Sequence, residues 1–419
     1  MTLTVSRLAN GLRVASLDMP GLETAAVGLY VDTGSRFEPA PAHGVAHMLE
    51  HMVFKGTRRR SARQIAEEIE AVGGHLNAYT SRDQTTFYAR ILAEDMPLGL
   101  DLVADLITEP VLDAQEMNRE REVVLQELSQ ARDTPDDIIF DDLQEAAFAG
   151  QPLGRSILGT EETIQSLQPE DVRTWLDEHY RAESMVLAAA GKVDHDTIVR
   201  LAEERLGGLP SGKRPEGFAA HYTGGEARTS KPLEQTHVTL GLPGVSYADP
   251  DYYPLLIFAT ALGGGMSSRL FQAVREERGL AYSIYSYASN YAETGLTTIY
   301  MATGPEAAGD AVSLTLETLL RSLDGMSEEE LHRARAQLKA SVFMGLESCS
   351  GLSEQIGRQL LLFDRVIPTK EIIERIESAT AEDVRRAAQR MIEAGPLSLA
   401  TVGPSRIVPS LNKLQAYLS

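Results

Sequence analysis

Cysteine is almost missing: Cys349 stands alone in 419 residues. No intrachain disulfide and no cysteine-based zinc cluster can form. That fits a reducing compartment. Long apolar runs are missing too, and without a stretch of about 18 such residues no membrane span is expected. Positive charge is scarce, with 39 Lys and Arg against 60 Asp and Glu, a net charge of −21. Nonspecific nucleic-acid binding needs a basic face, and neither finger spacing nor an aromatic–basic stripe argues for it. An acidic cavity would instead attract cationic substrates. The opening MTLTVSRLANGLRVASL has no positive stretch leading into an apolar core of about 7–15 residues, so it does not read as an export signal. Its alternation reads as two strands around a turn at Asn10-Gly11. A bacterial cytoplasmic location is the expectation from that reading. No GxSxG elbow is present, which disfavours a serine nucleophile.

The chain is too long for one comfortable core, so at least two domains are expected. Residues 23–36 read as a strand and polar turn, 43–55 as a helix, and 61–72 as a helix capped by Ser61. Gly73-Gly74 breaks that helix, and 75–92 alternates as two strands. Helices follow near 95–108, 113–131 and 137–148. A buried strand at 184–191 and a helix at 194–206 close the first half. A Gly- and Pro-rich stretch marks a linker within 211–232, between an N-terminal domain at 1–210 and a C-terminal domain at 233–419. The second half repeats the plan of strand, helix, paired strands and two helices, which suggests an internal duplication. The fold class expected is α/β, in the α+β sense, with two related domains of sheet flanked by helices.

The chemistry concentrates in His47-Met48-Leu49-Glu50-His51. Residues four apart share a helix face, so His47 and His51 can hold one metal ion. Glu50 lies close to that face and can reach a water on the metal. This is the inverted order of the common zinc-hydrolase signature. A solvated helix face with satisfied histidines is the competing reading. Downstream, Glu120 and Glu127 are two turns apart on one amphipathic segment, with Val123 and Val124 filling the apolar side. One carboxylate can complete a His2Glu zinc site with an open fourth position. The other can orient a histidine ring. The second half has no histidine pentad, so only the first half is expected to be catalytic. GGGMSSRL at 263–270 lacks the Lys-Ser/Thr end of a phosphate loop, and a hinge or lining loop is the preferred use.

HMLEHMVFKGT at 47–57 resembles the signature of the pitrilysin family of zinc metallopeptidases. The likeness covers nearly the whole chain. It is closest to the short branch that holds the mitochondrial processing peptidase β subunit and its bacterial relatives. The resemblance implies Zn2+ on His47, His51 and Glu127, with Glu120 beside a ligand. It implies Glu50 as the base that takes the water proton and passes it to the leaving amine. It implies an extended peptide against the edge Asn77-Ala78-Tyr79-Thr80, by backbone pairing. Arg275 and Tyr282 match the family's pair that binds a substrate carbonyl and donates near the tetrahedral oxyanion. Asp137 and Asp141 fall where an arginine near the cleavage point is recognised. Family members of this size have two homologous domains, each chain forming half of a clam-shell chamber closed by a dimer. A homodimer, or a heterodimer with a related subunit, is expected, with peptide substrates and neither nucleic acid nor membrane as partner. The alternative reading is a noncatalytic peptide-binding or scaffold subunit. Such members usually depart from the zinc residues, which are all present here.

Overall fold

The computed structural model describes residues 2–418. The opening alternation folds as expected: Thr2–Arg7 (β1) pairs antiparallel with Arg13–Asp18 (β2). Thr24–Val31 (β3), His75–Thr80 (β4), Thr85–Leu92 (β5) and Met185–Gly191 (β6) complete a six-stranded sheet. Its order is β1-β2-β6-β3-β5-β4. Only the β2–β6 pair is parallel. β6, MVLAAAG, is buried throughout, as its unbroken apolar run requires of a strand covered on both faces.

One face of this sheet packs against the helices Val45–Val53, Met96–Thr108, Pro169–His179 and His195–Leu206. Met48, Leu49, Leu100, Leu102, Trp175 and Ile198 meet the inward side chains of the strands there. The other face carries Ala15, Tyr30, Val186 and Ala188, and these are covered by Ile356 and Leu360 of the helix Cys349–Phe363. Ser61 caps the helix Ala62–Ala71 in a reciprocal capping box with Gln64, as its position suggests.

Gly225–Thr229 (β7), Thr236–Pro243 (β8), Ala281–Asn290 (β9), Gly295–Thr303 (β10) and Ser398–Val402 (β11) form the second sheet. Its order is β7-β11-β8-β10-β9, with only β7 and β11 parallel. Set beside β2-β6-β3-β5-β4, the order and directions are the same. The duplicated plan is therefore a shared topology, with β1 added to the first copy. The helices Tyr252–Gly263, Ala308–Ser322 and Ala381–Glu393 bury Leu255, Phe258, Val312, Leu316 and Val384 in this core. Ile139 and Leu143 of the helix Pro135–Ala147 join Leu296, Tyr300 and Ala400 in a separate cluster.

The compact units are not the contiguous segments expected from the sequence. Gln130–Arg155 belongs with the second sheet, and Ser156–Phe218 and Phe343–Ile367 with the first. β7 also lies inside the stretch expected to be linker. Pro135–Ala147 and Cys349–Phe363 thus pack on a sheet formed mostly by the other half of the sequence, so proximity along the chain did not decide their placement.

Candidate metal centre

The metal helix, Val45–Val53, starts at Gly44 with φ 95°, a left-handed conformation that suits glycine. Its first-turn N–H groups need acceptors. The buried Glu38 supplies them, taking the N–H of Gly44 at 2.8 Å and of Ala46 at 2.9 Å. A carboxylate there also suits the positive end of the helix dipole. Met48, Leu49, Met52 and Val53 anchor the helix in the core, leaving the histidine face to the helix Ala114–Asp133.

His47 and His51 stack edge to face with ring centroids 4.6 Å apart. Their Nε2 atoms lie 3.6 and 3.4 Å from the same oxygen, Oε2 of Glu127. One ligand atom from each of the three falls within 4.8 Å of the others. Bonds of about 2.0–2.1 Å to a tetrahedral zinc would place neighbouring ligand atoms about 3.4 Å apart. Both histidine nitrogens thus stand from the glutamate oxygen at about the spacing that zinc needs. Burial, and then the neighbouring His51, hold the His47 pKa down at about 3, so the ring is neutral as a ligand must be.

Glu120 fixes the second histidine. Its Oε2 lies 3.0 Å from His51 Nδ1, and its Oε1 accepts from Lys55 Nζ at 2.8 Å. A carboxylate only accepts, so Nδ1 carries the proton and the Nε2 lone pair is left for the metal. Glu120 is 6% exposed, while the Glu127 side chain is 41% exposed. Val124 is buried between them, whereas Val123 is 38% exposed. Adjacent helical residues point about 100° apart, so only one valine can face the core.

Glu50 accepts a 2.6 Å hydrogen bond on Oε2 from Thr80 Oγ1. Burial pushes its carboxyl pKa up, Thr80 and His51 oppose this, and the charge of Glu127 adds to it. Thr80 ends β4, an edge strand that pairs only with β5. On β4, Ala78 is buried in the core while Asn77 and Tyr79 are exposed; Asn77 Oδ1 accepts from the Ala78 N–H at 2.9 Å. The Tyr79 hydroxyl donates to Glu354 Oε1 at 2.9 Å.

The remaining expected residues lie in the second unit. Arg275 sits in a π-helical turn, Phe271–Glu276, with its Cζ 4.9 Å from the ring centre of Tyr282. Tyr282 is 73% exposed on β9, the edge strand that matches β4. Asp137 and Asp141 are one turn apart on Pro135–Ala147, the first exposed and the second half-buried. Sequence reasoning missed Glu38, Lys55 and the bond from Thr80 to Glu50. Lys55 lay in plain view four residues beyond His51, and Thr80 shares the Ala78 face by simple alternation.

Two family models match: "Insulinase (Peptidase family M16)" over residues 13–161 and "Peptidase M16 inactive domain" over 166–338. An uncharacterized zinc protease of Rickettsia felis is 39% identical, covering 96% of this chain and 97% of that protein. The mitochondrial-processing peptidase subunit beta of Saccharomyces cerevisiae is 34% identical, over 99% and 94%. A solved Pseudomonas fluorescens M16 inactive-domain structure shares the fold at TM-score 0.90 and 21% identity, covering 98% of this chain and 99% of that one. A complex III structure from Candida albicans shares it at TM-score 0.88 and 21% identity, covering both chains fully. The expected bacterial cytoplasmic location is overturned by these comparisons, because relatives named as mitochondrial-processing peptidase subunits align along almost the whole chain and a chain of the complex III structure shares its fold. Among the described residues no helix is long and apolar enough to cross a membrane. With the ligand triad in place, the chain is a zinc-dependent peptidase, and it belongs to the insulinase family, peptidase family M16.

Proposed function

We propose that this peptidase is an endopeptidase that holds an extended, basic peptide along β4 and cleaves it by general-base attack of water. The observation that carries the reading is Glu50, which sits one residue before His51 and is tied to the edge strand through Thr80. Zinc held by His47, His51 and Glu127 supplies an acidified water and a polarised scissile carbonyl. Glu50 takes the water proton and returns it to the leaving amine. Glu120 keeps His51 in its ligating tautomer.

β4 is the outer strand of its sheet, so a peptide can add along Asn77, Ala78 and Tyr79 as a further strand with little sequence choice. Arg275 binds a substrate carbonyl, and the exposed Tyr282 hydroxyl donates to the developing oxyanion. Asp137 and Asp141, one turn apart, accept the two-pronged guanidinium of a substrate arginine. The relatives named as processing-peptidase subunits support peptide binding and assembly with a second chain, either a copy or a relative.

The test is kcat/KM on a quenched basic peptide of about 15 residues. It compares zinc-loaded wild type with Glu50→Gln, with bound zinc quantified in both. Turnover lost with zinc retained supports the reading. A Glu50→Gln protein as active as wild type refutes Glu50 as the base, and a zinc-loaded wild type without activity refutes a self-sufficient peptidase.

A further inference from the structure

The hydrogen bond between Thr80 and Glu50 joins two parts of the site that have separate tasks. Thr80 closes β4, and its Oγ1 donates to Glu50 Oε2 at 2.6 Å. That length belongs to a hydroxyl on a charged acceptor. The alternation of β4 sends Leu76, Ala78 and Thr80 to the face of the metal helix, and Asn77 and Tyr79 to the other. The bond therefore follows from the register of β4 against β5, where Thr80 stands opposite Thr85. A one-residue slip of that register would turn Thr80 away. Thr85 is itself fully buried, with its hydroxyl bonded to the Thr33 carbonyl at 2.8 Å, so the strand end is held from behind.

We infer that Thr80 is a positioning residue: it anchors one oxygen of Glu50 to the strand that receives the peptide, leaving the other to face the attacking water. This rests on the peptidase reading and extends it. Glu50 has freely rotating side-chain bonds, and a rotamer held by a partner acts on water without first paying for order. Since Thr80 shares a strand with the groups that would pair with substrate, a peptide that docks in register docks against a base already in place. The hydroxyl itself touches neither substrate nor metal in this scheme. Its loss should slow the chemical step and leave docking alone.

The experiment compares zinc-loaded wild type, Thr80→Val and Thr80→Ser on one quenched peptide, resolving kcat from KM and quantifying zinc. Valine keeps the shape of threonine and removes only the donor. A single hydrogen bond to a charged group corresponds to a drop in kcat of roughly ten- to a hundred-fold. That drop is expected for Thr80→Val, with KM and bound zinc within about two-fold of wild type. Thr80→Ser should recover most of kcat. Thr80→Ala replaces Thr80→Val if valine prevents folding, and the same loss is expected. Full kcat in a donor-free variant overturns the inference while leaving the peptidase reading intact, as does serine failing to recover it. An inactive zinc-loaded wild type overturns both.

Discussion

Lys55→Met is the most informative single change outside the ligands. The ammonium sits 2.8 Å from Glu120 Oε1, with side-chain exposures of 31% for Lys55 and 8% for Glu120. Methionine keeps the length of the aliphatic stem and deletes the charge, leaving a carboxylate that water barely reaches with only His51 as partner. Removing one member of a buried pair costs about 3–5 kcal/mol. Lys55 is partly solvated already, which lowers the expected loss to about 2 kcal/mol. The change also frees Glu120 to turn from His51, and losing such an outer contact costs about 10–100-fold in metal affinity. Urea unfolding of the metal-free protein reads the first quantity, and zinc competition with a chelator reads the second. Lys55→Arg should restore both in large part, because a guanidinium can still meet Oε1. A zinc Kd within two-fold of wild type for Lys55→Met would refute the chain of contacts from Lys55 to the metal.

Gly44→Ala should destabilise the protein by about 1–3 kcal/mol. The residue sits at φ 95°, and an added Cβ would stand 2.6 Å from Ile164 Cδ1. An unchanged urea midpoint would show that the helix start is not confined. Glu330 predicts a pH effect in the second unit: its carboxylate meets Arg269 at 2.6 and 2.8 Å and accepts from the Ser327 N–H, and the Arg269 bond leads in pulling its pKa from 4.5 to about 2. A depressed acid gives stability that is complete above 4.5 and fades as pH falls towards 2. Wild type should exceed Glu330→Gln by about 1–2 kcal/mol at pH 6, after allowance for solvent at this partly exposed pair. That gap should narrow steadily in acid, and a gap independent of pH would contradict the linkage. Replacing an arginine near the cleavage point by norleucine should cut kcat/KM about ten-fold, and Asp137→Asn with Asp141→Asn should erase the difference; equal rates in wild type would sink that role.

The residues that hold the metal were readable because the helix period brings His47 to His51, and family likeness selected Glu127 over Glu120. Local pattern also located every strand of the catalytic sheet, because each is a short apolar or alternating run. Glu38 was hidden. Nothing in SRFEPAPAHG says that its carboxylate folds back over the start of the next helix. β7 was hidden as well, since GEART is short, polar and surrounded by glycine and proline, and it becomes a strand only because β11 offers it a partner. The placement of Pro135–Ala147 and Cys349–Phe363 could not be read at all. Both are ordinary amphipathic helices, and their sequences say that one face must be buried without saying against which sheet.

Those two helices occupy equivalent positions: each is the third helix after its own half's strand pair, and each covers the other half's sheet. An exchange of matching elements between two copies is the signature of domain swapping. Here it is locked into one polypeptide. A half-length ancestor that paired with itself by trading this helix would become the present chain once duplicated and fused, with no rearrangement of its cores. The trade also means that neither half is a finished object. A polypeptide ending before Phe343 would leave Ala15, Tyr30, Val186 and Ala188 bare to solvent, and the catalytic half would need its missing wall returned by another molecule.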